Sequence, residues 1–268
     1  MRFAALALLV ATVAGAGGRV TDRACDVSSR RSSRGGVACA AAATWTPADL
    51  ANVSSWHRAD LGVTLNGSRV SAWADQSGNG HTLSQGTAGQ QPLVTAGAVG
   101  GKTALTFAPG RQDNLAFAGG FTQGAGASRV YAVLHSRTQS GYSLVVNSSG
   151  SGMSAYKGFL GLDNQPTTYQ NSVALTHASA ITGAHVISWR VGTTVTLGVA
   201  IDNGAETTAT NGVFLAGAWT TVGTTVVGFE PDMDLAELII CDSAADPAVS
   251  AAEQTQLLAY FSARYGIW

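Results

Sequence analysis

From residue 56 onward the chain is a series of short Val-, Thr-, Ala- and Leu-rich runs, each closed by Gly, Asn, Ser or Asp. That punctuation limits the fold more than any other feature. Runs of this length are too short to bury a helical stripe, but they suit strands crossing a layered sheet. Ser68 to Ala74 and Lys102 to Phe107 alternate, and Val130, Ala132 and Leu134 share one face of the run Arg129 to Leu134. Further runs are Tyr142 to Val146, His185 to Val191, Thr194 to Ile201, Thr221 to Phe229 and Leu235 to Cys241. Asp202-Asn203-Gly204 follows Ile201 as a hairpin turn signal. The pattern predicts an all-β antiparallel two-sheet sandwich, with Trp56, Trp73 and Trp189 in its core.

One helix is expected, near the C-terminus. Ser250-Ala251-Ala252-Glu253 is a capping box; Leu257, Leu258 and Phe261 give an apolar face, and Gly266 can end the helix. Thr46, Pro47 and Asp49 predict a short helical turn at the domain's opening. With no internal repeat and no second linker, residues 44–268 read as one domain. Residues 1–18 read as a secretory signal, with Arg2, an apolar run to Val13 and small residues before a cut after Ala16. Residues 19–43 read as a flexible Arg/Ser/Ala linker. A secreted protein is therefore expected; a true start further along the chain would favour a virion component instead.

Charge narrows the partners. Only 12% of the chain is charged, and from Trp45 onward nine of its fifteen bases face fourteen of its sixteen acids. A mildly acidic body without a basic stripe is a poor match for nucleic acid. No apolar run reaches the roughly 20 residues of a bilayer span. Cys25 and Cys39 can close a linker loop in an exported protein, leaving Cys241 as a small buried hydrophobe, raised in pKa and inert. No cysteine or histidine spacing suggests zinc. His81, beside a glycine-rich loop, is the histidine placed to report on pH, as a surface or capping residue.

Three segments together resemble the concanavalin A-like, laminin-G-like jelly-roll superfamily of bacterial secreted proteins and phage structural proteins. They are W-H-R-A-D-L-G-V-T-L (56–65) with R-V-S-A-W-A-D-Q-S-G-N-G-H (69–81); Gln91-Pro92 with G-K-T-A-L-T-F (101–107) and Asp113-Asn114-Leu115; and D-L-A-E-L-I-I-C-D (234–242) with the Ser250 helix ending A-R-Y-G-I. The resemblance covers both ends, whereas residues 120–225 match in β texture alone. It implies a concanavalin A-like jelly roll with a short C-terminal helix. The superfamily includes lectins, enzymes, adhesins and structural modules, so the fold leaves the function open.

Three constellations are candidates for chemistry. Asp232-x-Asp234-x-x-Glu237 resembles the E-x-D-x-x-E signature of glucanases with this fold, in which two carboxylates about 5 Å apart serve as nucleophile and acid. Its first position is Asp here, and in a regular strand Glu237 faces away from Asp232 and Asp234 unless a bulge intervenes. The same residues also read as a solvated acidic rim. Asp75, Ser77 and Asn79 offer oxygens to calcium, or equally hold a tight turn around Gly78 and Gly80. Tyr142, Tyr156, Asp163, Asn164, Tyr169 and Trp219 are candidates for a sugar site, where rings stack on a pyranose and polar groups fix its hydroxyls. The expected function is non-catalytic recognition of a glycan or cell-surface polysaccharide, without cofactor except possible calcium. The alternatives are a phage virion attachment or structural protein, and a glycoside hydrolase or polysaccharide lyase using the 230–237 acids.

Overall fold

The computed structural model describes residues 44–122, 126–137, 143–148, 154–159, 162–170, 173–192, 196–210, 217–224 and 230–268. The expected signal and linker, Cys25, Cys39 and Tyr142 lie outside these residues. Trp45–Trp268 forms one compact unit. In chain order its strands are β1 (Val53–Arg58), β2 (Val63–Asn66), β3 (Arg69–Trp73), β4 (Leu83–Ser84), β5 (Leu93–Val99), β6 (Lys102–Phe107), β7 (Asn114–Thr122), β8 (Ala127–Ser136) and β9 (Ser143–Ser148). There follow β10 (Ser154–Phe159), β11 (Leu162–Gln170), β12 (Val173–Thr176), β13 (Gly183–Val191), β14 (Thr196–Ile201), β15 (Thr207–Thr210), β16 (Ala218–Gly223), β17 (Met233–Ser243) and the helix α1 (Ala251–Tyr265).

The ladders are antiparallel and form two layers, as the alternating pattern predicts. In the first, β17 pairs along one edge with β8, which continues through β13 and β14 to β15. The other edge of β17 pairs with β6 at Met233–Leu235 and then with β1 at Glu237–Cys241. The second layer runs β2–β3–β4–β7–β16–β9–β10–β11–β12. Between the layers lies a core that includes Trp73, Leu115, Val146, Trp189, Trp219 and Leu235. Trp56, Trp73 and Trp189 are buried, as expected.

The first layer is covered on both faces, which explains its nearly continuous apolar strands. In β8, Val130, Ala132 and Leu134 enter the inter-sheet core, while Tyr131 and Val133 enter a second cluster beneath α1. Ser250 caps the helix: its Oγ accepts from the Glu253 N–H at 3.3 Å, and the Glu253 carboxylate accepts from the Ser250 N–H at 2.9 Å. Glu253 also accepts from the Ala51 N–H at 2.8 Å, joining the helix start to the opening 3-10 turn Pro47–Asp49. Leu257, Phe261 and Tyr265 are buried, each contributing roughly 1.5–3 kcal/mol by burial. Leu258, expected in that stripe, is only half-buried, because positions 257, 261 and 265 repeat every four residues and carry the contact. Gly266, at φ 60°, ends the helix as expected.

Of the expected strand Thr221 to Phe229, the first residues belong to β16, which ends at Gly223, and residues 225–229 lie outside the described residues. At Gly223 φ is 73°, and a Cβ would lie 2.4 Å from the Asp113 carbonyl oxygen, so only glycine fits. Strands β10–β12 and β15 were not predicted, because their Thr, Asn, Gln and Ala residues lack a strong apolar period. Among the described residues no helix is long and apolar enough to cross a membrane.

Gly100, at φ 52°, approaches the end of α1 so closely that a Cβ would sit 2.2 Å from the Tyr265 carbonyl oxygen. Gly100→Ala is expected to destabilise the fold by about 2 kcal/mol or more, measured by urea unfolding, with α1 losing amide-exchange protection before the sheets do.

Candidate functional site

The acidic segment resolves into separate structural roles. A register shift between Leu235 and Glu237 supplies the bulge that the motif requires, and it brings Glu237 to the helix-covered side of β17. There Glu237 is fully buried rather than available to a substrate. Its carboxyl accepts from Trp56 Nε1 at 2.6 Å, Tyr260 OH at 2.9 Å and Tyr265 OH at 2.6 Å, with Arg264 Nε 3.7 Å away. Burial holds this carboxyl above the usual carboxylate range, against the opposing pull of Tyr265, Trp56, Tyr260 and Arg264. Asp234 accepts from Thr106 Oγ1 at 2.5 Å and lies 3.8 Å from His135 Nδ1. Asp232 pairs with Arg137 Nε at 2.9 Å. The three do not line a common opening: one lies under the helix and two are tied into the sheet end. The expectation of a solvated acidic rim is corrected too, since Asp232, Asp234 and Glu237 are all buried.

The Asp75 loop is a turn by the same reasoning. Asp75 Oδ1 accepts from the Trp56 and Ser77 N–H groups, each at 2.9 Å, and Oδ2 from Ser77 Oγ at 2.8 Å and the His81 N–H at 3.0 Å. Burial raises the Asp75 pKa, but these donors outweigh it and hold the carboxyl below its usual range. Asn79 turns its amide N–H groups toward the Val53 and Ser54 carbonyls. A carboxylate surrounded by four donors beside an amide presenting its nitrogen does not suit a cation, so Asp75 and Asn79 do not fit calcium. Gly78 and Gly80 take positive φ in the same turn. His57, on β1, is buried beside the rings of Trp73 and Phe117, and its neutral form is favoured. Burial lowers its pKa to about 4, against the attraction of Asp75. His81 stacks on Phe121 at 4.0 Å. Cys241 is buried and free, and burial raises its thiol pKa.

Trp219 cannot serve as a sugar platform. It is fully buried, enters the inter-sheet core and donates its indole N–H to Asp242 Oδ2 at 3.1 Å. Burial holds the Asp242 carboxyl above its usual range, against hydrogen bonds from Ser128, Trp219 and Ser54.

The register brings other candidates together. Across the second layer Ala72, Ser84, Ala116, Thr221 and Asn147 stand opposite one another in a single row over β3, β4, β7, β16 and β9. All five are half-buried or exposed, and their neighbours Trp73, Leu83, Leu115, Val222 and Val146 enter the core, so the row occupies the outer face. At strand spacing it spans about 19 Å, with a floor of small uncharged side chains. Beyond β9, Ala155, Thr168 and Leu175 form the inward row, Leu175 in the core and Thr168 donating to the Gly198 carbonyl at 2.8 Å. Tyr156 pairs with Thr167, and Tyr169 with Ser154 and Ala174, on adjacent strands; their side chains lie outside the described residues. Asp163 and Asn164 belong to β11 beyond the register shift between Lys157 and Phe159. The small row was missed because its members come from five strands scattered between residues 72 and 221.

No protein-family model and no curated protein sequence matches the chain. Several solved structures share its fold. The binding domain of Paraclostridial Mosquitocidal Protein 1 aligns with TM-score 0.55 and 11% identity over 81% of this chain and 53% of that one. A mutant GH54 α-L-arabinofuranosidase soaked with 4-nitrophenyl α-L-arabinofuranoside gives 0.52 and 16% over 74% and 51%. The binding domain of Botulinum neurotoxin DC, in complex with rat synaptotagmin II, gives 0.50 and 10% over 78% and 52%. This chain spans about half the length of each of these solved chains. At such identities the likeness is one of fold, a β-sandwich occurring in binding and glycosidase-related proteins.

Two outcomes follow. Glu237→Ala leaves three buried donors without their acceptor, and is expected to cost about 3 kcal/mol or more in thermal or urea unfolding, whereas Glu237→Gln retains most of the stability. Because His57 has a lower pKa folded than unfolded, the unfolded chain binds its proton first. Its contribution to stability is full above pH 6.5 and falls by roughly 3 kcal/mol as pH drops toward 4, so His57→Gln should flatten that limb of the stability profile.

Proposed function

We propose that the chain is a non-catalytic recognition module for a neutral glycan or cell-surface polysaccharide, belonging to an exported protein. The observation carrying this reading is the uncharged row Ala72–Ser84–Ala116–Thr221–Asn147, which continues toward the tyrosine positions of β10 and β11. Small residues make a trough floor on which an extended chain can lie, and the roughly 4.8 Å between strands is close to the advance of one sugar in an extended polysaccharide. Hydroxyl and amide groups can fix sugar hydroxyls, and Tyr156 and Tyr169, on the strands that extend the row, are the residues assigned to ring stacking in this reading. The absence of charge along the row favours a neutral polymer over an anionic one. The structural roles of Asp232, Asp234 and Glu237 favour binding without cleavage. The arabinofuranoside soaked into one structural relative makes arabinose-containing polymers the first to try.

The test is retention of the full chain on immobilised arabinan, arabinoxylan, xylan, β-glucan and mannan, with alginate and pectate as anionic contrasts, each with and without calcium. Saturable binding to a neutral polymer is expected, with no new reducing ends or unsaturated products. Thr221→Trp should block the trough, and the Tyr156→Ala, Tyr169→Ala pair should weaken binding by about tenfold, both with unchanged melting. Cleavage of any polymer, or binding confined to the anionic ones, would contradict the reading.

A further inference from the structure

We propose that the pocket between the β14–β15 turn and the outward side of α1 is a separate binding site for one ring of a neutral saccharide. Asn203, Thr255, Leu258, Ala259, Ser262 and Trp268 line an open space of about 290 Å³, at the lower edge of the size range of small-molecule sites and suited to a single ring. Thr255, Leu258, Ala259 and Ser262 recur at helical spacing and make one wall, away from the stripe Leu257, Phe261 and Tyr265 that packs on the sheet.

The other wall is held in place by the hairpin. The Gly204 N–H donates to the Ile201 carbonyl at 2.9 Å, and Asp202 accepts from the Val186 N–H at 2.8 Å and lies 2.8 Å from His185 Nδ1. The turn thus presents Asn203 to the helix from a fixed base. Ser262 Oγ donates to the Trp268 main-chain oxygen at 3.2 Å, which sets the backbone carrying the ring.

The chemistry of the lining defines the ligand. Trp268 is 42% exposed, whereas the other five tryptophans are buried or half-buried, so its ring is the one open to stacking. The Asn203 amide lies in the same lining as the Trp268 indole, placing donors and an acceptor beside the ring. Thr255 Oγ1 donates to the Ala251 carbonyl at 2.9 Å and keeps lone pairs to accept. A flat apolar ring bordered by amide and hydroxyl groups, with no charged side chain in the lining, matches a pyranose: an apolar face with hydroxyls around its edge. The pocket lies on the helix side of the first layer and does not share residues with the open face of the second, so it stands or falls independently of the trough.

The experiment is iodide quenching of tryptophan emission in the full chain, titrated with methyl glycosides of glucose, galactose, mannose, arabinose and N-acetylglucosamine, and with glucuronate. At least one neutral glycoside should protect the accessible emission saturably, glucuronate should not, and Asn203→Ala should raise the half-protecting concentration by about tenfold. Calorimetry should show the same glycoside losing its heat of binding in Trp268→Ala. Failure of every neutral glycoside to protect, equal protection by glucuronate, or binding that survives Trp268→Ala would overturn the proposal.

Discussion

The buried Glu237 carboxyl is the point at which both ends of the fold are tied together. It lies on β17 where that strand changes partner, from β6 at Leu235 to β1 at Glu237, and where the register shifts. The bulge sends Glu237 under α1, where Trp56 of β1 and Tyr260 and Tyr265 of α1 donate to it. One acceptor thus joins the first strand, the last strand and the helix. The Arg264–Asp60 pair at 2.5 Å adds a surface link between helix and β1–β2 connection. Burying a carboxyl is expensive unless it is well satisfied, and three donors are what make this one tolerable.

Once the helix is committed to the first layer, the two outer faces diverge. The helix-covered face is mostly apolar around Glu237 and carries Tyr131, whose phenol burial pushes up to about 12 in pKa. The outer face of the second layer carries Ala, Ser, Thr and Asn in register. Acidic groups elsewhere are likewise engaged: Asp75 in its turn, Asp113 with Arg111 at 2.9 Å, Glu206 with Arg129 and Arg190, and Asp242 with Ser128 and Trp219. Carboxylates used this way stabilise loops and strand ends, and the uncharged row from Ala72 to Asn147 is the surface on which the proposed function rests.

Features set by local rules were readable in the sequence. The Ser250 capping box, the Gly266 stop, the Asp202 turn and the inward alternation of Val130, Ala132 and Leu134 depend on residues close together in the chain. The site was less legible because it depends on pairing. Trp219 stands in the same kind of polar-flanked text as a surface aromatic, and only its register opposite Phe121 places it in the core. The D-x-D-x-x-E spacing was visible, as was the need for a bulge. That the bulge would deliver Glu237 to Tyr265, twenty-eight residues later, was not. Small residues such as Ala116 and Thr221 carry no signal of their own until strands β7 and β16 pair.

Amide hydrogen exchange of the full chain, with and without the polysaccharide it retains most strongly, tests the central claim most directly. The account predicts added protection along β4, β7, β16 and β9, with the sheet beneath α1 unchanged at Trp56 and Glu237. Protection centred on the Asp232–Glu237 segment, with the β7–β16–β9 row unaffected, would contradict it.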